Sequence, residues 1–414
     1  MLPTPQLTLH PLAELMRRYR PISKDEIEAE MTTEEGKEVA TGPMPMRDAL
    51  WWEVKNYASA MYLTHHTNEA LLFAQRAVRM RRCVSTLVTL SVIQDELGKY
   101  EEALETSIEA AKIDSTDDRG TARLGELYLR SGKLAEGWPL YIRNRASMDW
   151  CKPFLPEWEG PHQEVKKKRI LVIEGGGYGD NLYFFRWLHT LRRWGADIHY
   201  VCQPDFAPLV RHQKYRAIEN WQGNVDVRWD AYDYYLPLLS IAGKLGVTLQ
   251  NYRWEGPYIR AHKQLVRRTK NIGLCFRAGE SKSPRKQRTL HNEQFQRLID
   301  AVPKGYTVYN MAHDTWHKDI EERYHTPMLQ GNWLHTANVM STLDLLITVD
   351  TGVAHLAGAM GVPCWVILPG ASAWHYPLHH EFHPLYPSMK IFRNSGEGME
   401  LAVSKVEMKL AAMK

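Results

Sequence analysis

At 414 residues the chain exceeds the size at which one hydrophobic core keeps growing, so two or three domains are expected. Hydrophobic residues make up 44% and charged residues 24%, a globular composition, and no apolar run reaches the roughly 18 residues that read as a membrane-spanning helix. The net charge of +4 admits an anionic small ligand and gives no argument for nucleic acid as the main partner.

The opening, MLPTPQLTLHPLAELMRRYR, lacks the apolar core and cleavage pattern of a secretory signal, so a cytoplasmic location is expected. Cys83, Cys151, Cys202, Cys275 and Cys364 are scattered and odd in number, which fits free thiols in a reducing compartment better than a disulfide framework or a zinc site. Residues 1–48 contain an acidic stretch poor in large apolar side chains and closed by two prolines; they read as an N-terminal extension and linker. Residues 49–150 are helical in pattern and repeat themselves: LGKYEEALE at 97–105 is echoed by SGKLAEGWP at 131–139. Gly98 and Gly132 stand 34 residues apart, as do Ala103 and Gly137, and Ala70 precedes Ala103 by 33. Glycine at the turn between helices and a small residue at the helix contact, on that period, is the tetratricopeptide signature. Three units are expected, over 49–83, 84–117 and 118–150.

After a Pro-rich, then basic joint the pattern changes. Residues 165–260 read as a Rossmann-like half, with strands at 169–174 and 197–202, a helical segment at 180–194 between them, and further strands at 225–228 and 233–237. A polar, aromatic joint at 248–268 leads to a second such half over 268–395. Its expected strands lie near 271–276, 306–311, 344–349 and 363–368, and its helices at 291–301, 334–341 and 351–361. Residues 396–414 read as a closing amphipathic helix. Two open α/β halves leave a cleft at the carboxyl ends of their strands.

Three stretches could furnish that cleft. In RILVIEGGGYGDNLYFFRWLHTL a strand runs through Gly175, Gly177 and Gly179 to Asp180 and a helix, a turn able to present amides to an anion. The glycines lack the G-x-G-x-x-G spacing and the next strand ends in CQPD, so a nicotinamide dinucleotide is not expected. Asp180 has two readings, a cap for its own helix or a general base facing the cleft. In DLLITVDTGVAHLAGAMGVPCWVILPG a strand ends at Asp350, and Thr351 and Gly352 open a helix rich in small residues, the setting in which unpaired amides stabilise a diphosphate. His355 falls on the same helix face as Thr351, as either a packed core histidine or a site residue. In RAGESKSPRKQRTLHNEQF the cations Arg277, Lys282, Arg285, Lys286 and Arg288 form either a solvated loop or, for Arg277 and Arg288, a means of neutralising a diphosphate. The late histidines His375, His379, His380 and His383 lack acidic partners in a ligand pattern, and there is no D-x-D triplet, so no metal is expected.

With SGKLAEGWPLY, PEWEG, GYGDNLYFFRWL, VDTGVAHLAGAMGVPCWVILP and LYPSMKIFRN in this order, the chain resembles bacterial proteins that join tetratricopeptide repeats to a GT-B glycosyltransferase related to family 9, the ADP-heptose:lipopolysaccharide heptosyltransferases. The likeness covers the chain from about Leu90 to its end. It implies an α plus α/β fold, with tetratricopeptide-like repeats followed by a GT-B pair of Rossmann-like domains, an acceptor half and a nucleotide-sugar donor half. It further implies an inverting sugar transfer that needs no metal cofactor and uses a nucleotide diphosphate sugar as co-substrate. By this resemblance Gly179-Asp180 supplies the base, Arg288 contacts the donor phosphates, and Asp350, Thr351 and His355 line the donor site. The chain departs from its relatives before Arg288, where Pro284-Arg285-Lys286-Gln287 replaces an Asn-Asp pair with arginines. The acceptor is a carbohydrate, a protein or, given the short basic runs RRYR, RMRR and VKKKR, a modified nucleic acid. The stacked hairpins are candidates to bind acceptor or a protein partner, and a non-catalytic scaffold is the alternative from another class.

Overall fold

The computed structural model describes residues 50–63, 66–142, 154–221, 225–262, 270–278, 288–312, 331–394 and 398–413. The extension at 1–48, Cys151, and the loop cations Lys282, Arg285 and Lys286 lie outside these.

Among the described residues six helices form three successive hairpins: α1 (Trp51–Leu63) with α2 (Thr67–Met80), α3 (Val84–Glu96) with α4 (Tyr100–Ile113), and α5 (Asp118–Arg130) with α6 (Leu134–Tyr141). The glycines on the 34-residue period explain the turns. Gly98 and Gly132 adopt φ of +76° and +83°, the left-handed region in which a side chain is strained. Small residues do the packing, since Ala70, Ala74, Ala77, Ala103 and Ala110 are all fully buried. Polar residues at one contact are paired instead of removed: Arg123 meets Asp95 at 2.7 Å, both nearly inaccessible, and Ser91 and Ser107 hydroxyls lie 2.7 Å apart.

Compact packing divides the chain within α5, between Leu124 and Gly125. The third hairpin is therefore no free-standing repeat: α6 packs in the core of the second unit, where Leu129, Leu134 and Trp138 join Trp158, Phe184 and Trp374. Trp138 is 1% exposed, donates its indole N–H to Val247 O (2.9 Å), and sets edges against Phe184, Trp187 and Trp374.

The second unit holds two parallel sheets. In the first, β1 (Arg169–Ile173), β2 (Asp197–Cys202), β3 (Arg216–Glu219) and β4 (Tyr234–Pro237) lie in the order β3-β2-β1-β4. Strand β1 is central and buried from Ile170 to Ile173, which is why it reads as an unbroken apolar run. Residues 225–228 form no strand. The edge position belongs instead to Arg216–Glu219, whose half-exposed RAIE carries no apolar run to betray it. The segment expected as one helix over 180–194 is two, α7 (Tyr178–Phe185) and α8 (Leu188–Arg193), separated at Arg186-Trp187. Helix α9 (Ala207–His212) joins β2 to β3, and the short α10 (Ile241–Lys244) follows β4.

In the second sheet β5 (Lys270–Cys275), β6 (Tyr306–Asn310), β7 (Leu345–Val349), β8 (Cys364–Leu368), β9 (Phe382–His383) and β10 (Tyr386–Arg393) follow the order β6-β5-β7-β8-β10-β9, all parallel except β9. Helices α11 (Asn292–Asp300), α12 (Trp333–Met340), α13 (Gly352–Met360) and the closing α14 (Glu400–Ala411) pack around it. Strand order reverses between β1 and β4 in the first sheet and between β5 and β7 in the second. Doubly wound sheets open a crevice at such points, outside the carboxyl ends of the strands. The glycine turn follows β1, Arg277 follows β5, and Asp350 follows β7. Among the described residues no helix is long and apolar enough to cross a membrane.

Because Trp138 fills a fully enclosed site and leaves Val247 O without its donor if removed, Trp138→Ala is expected to cost about 3–5 kcal/mol, read from denaturant unfolding of the whole chain. A loss below about 1 kcal/mol would show that α6 is not part of this core.

Candidate functional site

The glycine turn after β1 is shaped around one carboxylate. Gly176 has φ of +68°, and a Cβ there would stand 2.4 Å from Asp180 Oδ2. That same oxygen accepts the Gly177 N–H at 2.8 Å, so Asp180, in the first turn of α7, holds down the start of its own helix. Asn181, buried and unremarked in the sequence, fastens the turn from behind. Its Nδ2 donates to Gly177 O (2.9 Å), while its Oδ1 accepts from Tyr200 OH (2.7 Å).

The other Asp180 oxygen faces the second half. His375 Nε2 lies 3.0 Å from Oδ1, an ion-pair distance, although the ring N–H is out of line for a hydrogen bond. Burial pushes the Asp180 carboxyl upward; His375 and the Gly177 amide outweigh it and hold the group below its usual range. The Asp180 side chain keeps 23% of its surface, so it is reachable from solvent, whereas His375 keeps 9%. His375 is fixed by Trp374, stacked at 3.9 Å between centroids, by the edge of Tyr183, and by its own carbonyl, which accepts from His383 Nε2 at 2.7 Å.

Gly179 meets the second half directly. A Cβ on it would sit 2.8 Å from His355 Cδ2, closer than real contacts allow. His355 is 2% exposed, with Tyr376 OH at 3.4 Å from Nε2 and Tyr386 OH at 3.4 Å from Nδ1. Burial, and then the neighbouring His375, lower its pKa to about 3, so the ring is neutral near pH 7. Gly352 makes a matching approach: its Cβ would lie 2.6 Å from the Trp333 ring and 3.5 Å from Tyr178 Cβ. Tyr178 in turn donates to the Asp205 carboxylate at 2.6 Å.

Arg288 is brought back to the end of β5 by two bonds, Leu290 N–H to Phe276 O (3.0 Å) and Ala278 N–H to Thr289 Oγ1 (3.2 Å). Its Nη1 donates to Asp350 Oδ2 (3.1 Å), while its Nε is buried without a hydrogen-bond partner among the described residues. Asp350 is 5% exposed and is thus the anchor of Arg288, not itself an open wall of the cleft. The Thr351 hydroxyl turns inward to Thr348 Oγ1 (2.9 Å) and Val349 O (3.2 Å), so no side chain caps the N-terminus of α13. Gly177, Gly179, Asp180, Arg288, Asp350, Thr351, Gly352 and His355 therefore belong to one constellation. Arg277 is exposed, two residues beyond β5. His375, set aside in the sequence as an unsupported metal ligand, is the residue the sequence missed. Its only signal was the cluster of histidines around WHYPLHH. Among the described residues no group of three or more His, Cys, Asp or Glu side chains is arranged to hold a metal ion.

No protein-family model matches the chain. In sequence it is 22% identical over 341 residues to Protein FlbA of Caulobacter vibrioides, a match covering 72% of the chain and 56% of that protein. The chain thus spans about half the length of the curated relative it matches. Among solved structures it is similar to the E. coli ADP-heptose lps heptosyltransferase II, with 17% identity, 59% of this chain and 98% of that one covered, and a TM-score of 0.42. It is also similar to an O-GlcNAc transferase mutant of Thermobaculum terrenum, with 12% identity, 89% and 91% covered, and a TM-score of 0.31. In architecture the chain joins successive helical hairpins to two α/β halves. The chain's own strand orders and helical hairpins define that fold.

Two of the turn's glycines give a paired test. Gly179→Ala forces a methyl into His355 and is expected to cost about 1–3 kcal/mol in unfolding experiments. Gly177→Ala, whose Cβ would rest at an ordinary 3.8 Å from Asp180 Oδ2, should cost well under that. Equal losses would remove the claim that Gly179 sets the spacing.

Proposed function

We propose that the chain is an inverting glycosyltransferase that moves a sugar from a nucleotide diphosphate sugar to an acceptor hydroxyl. The observation that carries this reading is that the glycine turn bearing the partly exposed Asp180 packs against α13, whose N-terminus follows the Asp350 that holds Arg288. Asp180 takes the acceptor's proton as the hydroxyl oxygen bonds to the anomeric carbon. The bond from that carbon to the diphosphate breaks on the opposite face, which inverts the centre. Charge gathers on the departing nucleoside diphosphate, where Arg288 and the uncapped amides at the start of α13 offset it. Asp350 orients Arg288, and neutral His355 serves as packing that holds the two motifs together. His375 steadies Asp180 in its ionised form.

The donor is a nucleotide sugar and the acceptor a hydroxyl-bearing carbohydrate, protein or modified base. The helical hairpins are the proposed surface for the acceptor.

Asp180→Asn preserves the size of the side chain and removes its basicity. Turnover should fall by about 10²–10⁴-fold with donor affinity retained, measured by product formation and by calorimetry with a nucleoside diphosphate. Undiminished turnover removes Asp180 from the mechanism.

The pH dependence follows from the balance at Asp180. Since the group must be ionised to accept a proton and its pKa lies below the ordinary range, activity should persist down to and below about pH 4 in a kcat/KM profile, provided the chain remains folded. His375→Leu removes the stabilising partner and leaves burial, which raises the carboxyl pKa. The acid limb should therefore move to higher pH. A limb that stays put, or moves lower, separates His375 from the ionisation of Asp180.

A further inference from the structure

A second cleft, of about 730 Å³, opens on the same unit at the opposite edge of the first sheet. Helix α8 reaches it at Arg193, just before β2 begins at Asp197, and α9 reaches it at His212, just before β3 begins at Arg216. It thus lies by the amino ends of the strands, whereas Asp180 lies by their carboxyl ends. The far wall is the joint from Asn251 to Arg260 that leads toward the second sheet, and none of the lining residues belongs to the constellation around Asp180.

The lining is strongly unbalanced in charge. Among the described residues five exposed cations contribute, Arg192, Arg193, Lys214, Arg253 and Arg260, with the buried Arg186 behind them, against one acid, Glu255, which is already engaged by Arg193 at 2.5 Å. Arg192 is held as a pre-oriented fork, donating to Gln213 O (3.0 Å) and lying against His189 Nδ1 (2.9 Å) with its guanidinium over Tyr215. His189 Nε2 is occupied by Tyr258 O at 3.1 Å, which leaves Nδ1 as an acceptor, so the ring adds no charge of its own. Lys214 sits at φ of +63°, a conformation strained for any residue with a side chain, at the end of α9. Arg253 donates to the backbone carbonyls of Gln250 and Tyr252, and the main chain of Arg260 is fastened to the Gln213 amide, with the residue itself exposed at the rim. An indole completes the lining: Trp194 is 41% exposed beside these cations.

Clustered like charges repel one another, and a bound anion relieves that repulsion. Guanidinium forks match phosphate oxygens in geometry, and an exposed aromatic face offers a planar ring a stacking surface. The volume falls within the roughly 300–1,000 Å³ of sites that enclose a small ligand. We infer that this cleft is a binding site for a phosphate-bearing small molecule with a planar ring, in the size class of a mononucleotide, separate from the crevice at Asp180.

The test titrates the full chain with AMP, inorganic phosphate and a short single-stranded oligonucleotide in a calorimeter, using Arg288→Ala as the background to suppress the other crevice. AMP should bind this background, more weakly as salt rises, and more tightly than inorganic phosphate because the ring contributes. The exposed-rim reversal Arg260→Glu with Lys214→Glu should weaken AMP at least tenfold, with an unchanged circular dichroism spectrum and unfolding midpoint. If that double variant proves misfolded, Arg260→Gln alone should weaken AMP in the same direction. Absence of AMP binding, or binding indifferent to these substitutions, overturns the inference. Phosphate binding as tightly as AMP removes the ring from it, and an oligonucleotide binding more tightly than AMP with the same sensitivity to Arg260 makes nucleic acid the ligand and overturns it as well.

Discussion

The site depends on how closely two helix N-termini approach each other. Helix α7 begins at a glycine turn and α13 begins at Thr351-Gly352, and each presents a glycine to an aromatic ring, α7 to one carried by α13 and α13 to one carried by α12. At Gly179 the ring is His355; at Gly352 it is Trp333, with the Tyr178 side chain beside it. A methyl at either position meets a ring at under 3 Å, and neither ring has room to retreat, since both are buried. That approach sets the reach of every polar contact between the halves. The Asp180 carboxylate comes within 3.0 Å of His375 only because the turn that carries it is seated against the helix that carries His355.

Seating two charged motifs this close requires the intervening core to carry little charge of its own. Burial achieves that for the imidazoles: His355 is pushed to the neutral form, and the lowered pKa of His383 does the same. A cation in this core, Arg186, is surrounded by Tyr183, Trp187, Tyr252, Tyr258 and Tyr386, with the Tyr386 ring centroid 4.2 Å away, and it donates to Leu385 O at 2.7 Å. Ring faces and a carbonyl stabilise the guanidinium without drawing on a carboxylate. Asp180 and Asp350 are thereby left to the crevice. One is matched with His375 and the other with Arg288, so each carboxylate has its own partner and the two do not compete.

Much of this was legible in the residues. The 34-residue spacing of Gly98 and Gly132 marked the hairpins because only a glycine takes the left-handed turn cheaply. The central strands β1 and β7 were visible because a strand buried on both faces must be apolar throughout. Edge elements were not. Arg216–Glu219 is half-exposed and carries no period, and next to the edge strand β9 the interior strand β10 contains Pro387 at the place where their pairing slips, so its pattern is broken too. At the site, Gly-Asp and Asp-Thr-x-x-x-His announced themselves because they combine turn chemistry with a polar residue at a strand end. His375 did not. It sits in a loop between β8 and β9, and its significance comes entirely from a partner nearly two hundred residues away in the sequence. No local pattern encodes such a pairing.

The same loop shows why the last hairpin cannot be regarded as an appendage. Leu378 N–H donates to Arg130 O at 2.8 Å, and Arg130 Nη1 donates to Ser372 O at 3.1 Å, so the end of α5 clasps the loop on both sides of His375. Trp374 then packs its ring edge-on to Trp138 and Tyr141 of α6 and its face on His375. The chain of contact runs from α6 through Trp374 to His375 and so to Asp180, through rings that are all largely buried and have few rotamers to choose from. A loop with no regular structure of its own is in this way held as firmly as a strand. The third hairpin thus does two jobs at once: it continues the repeat pattern in sequence, and it forms the wall against which the imidazole beside Asp180 is set.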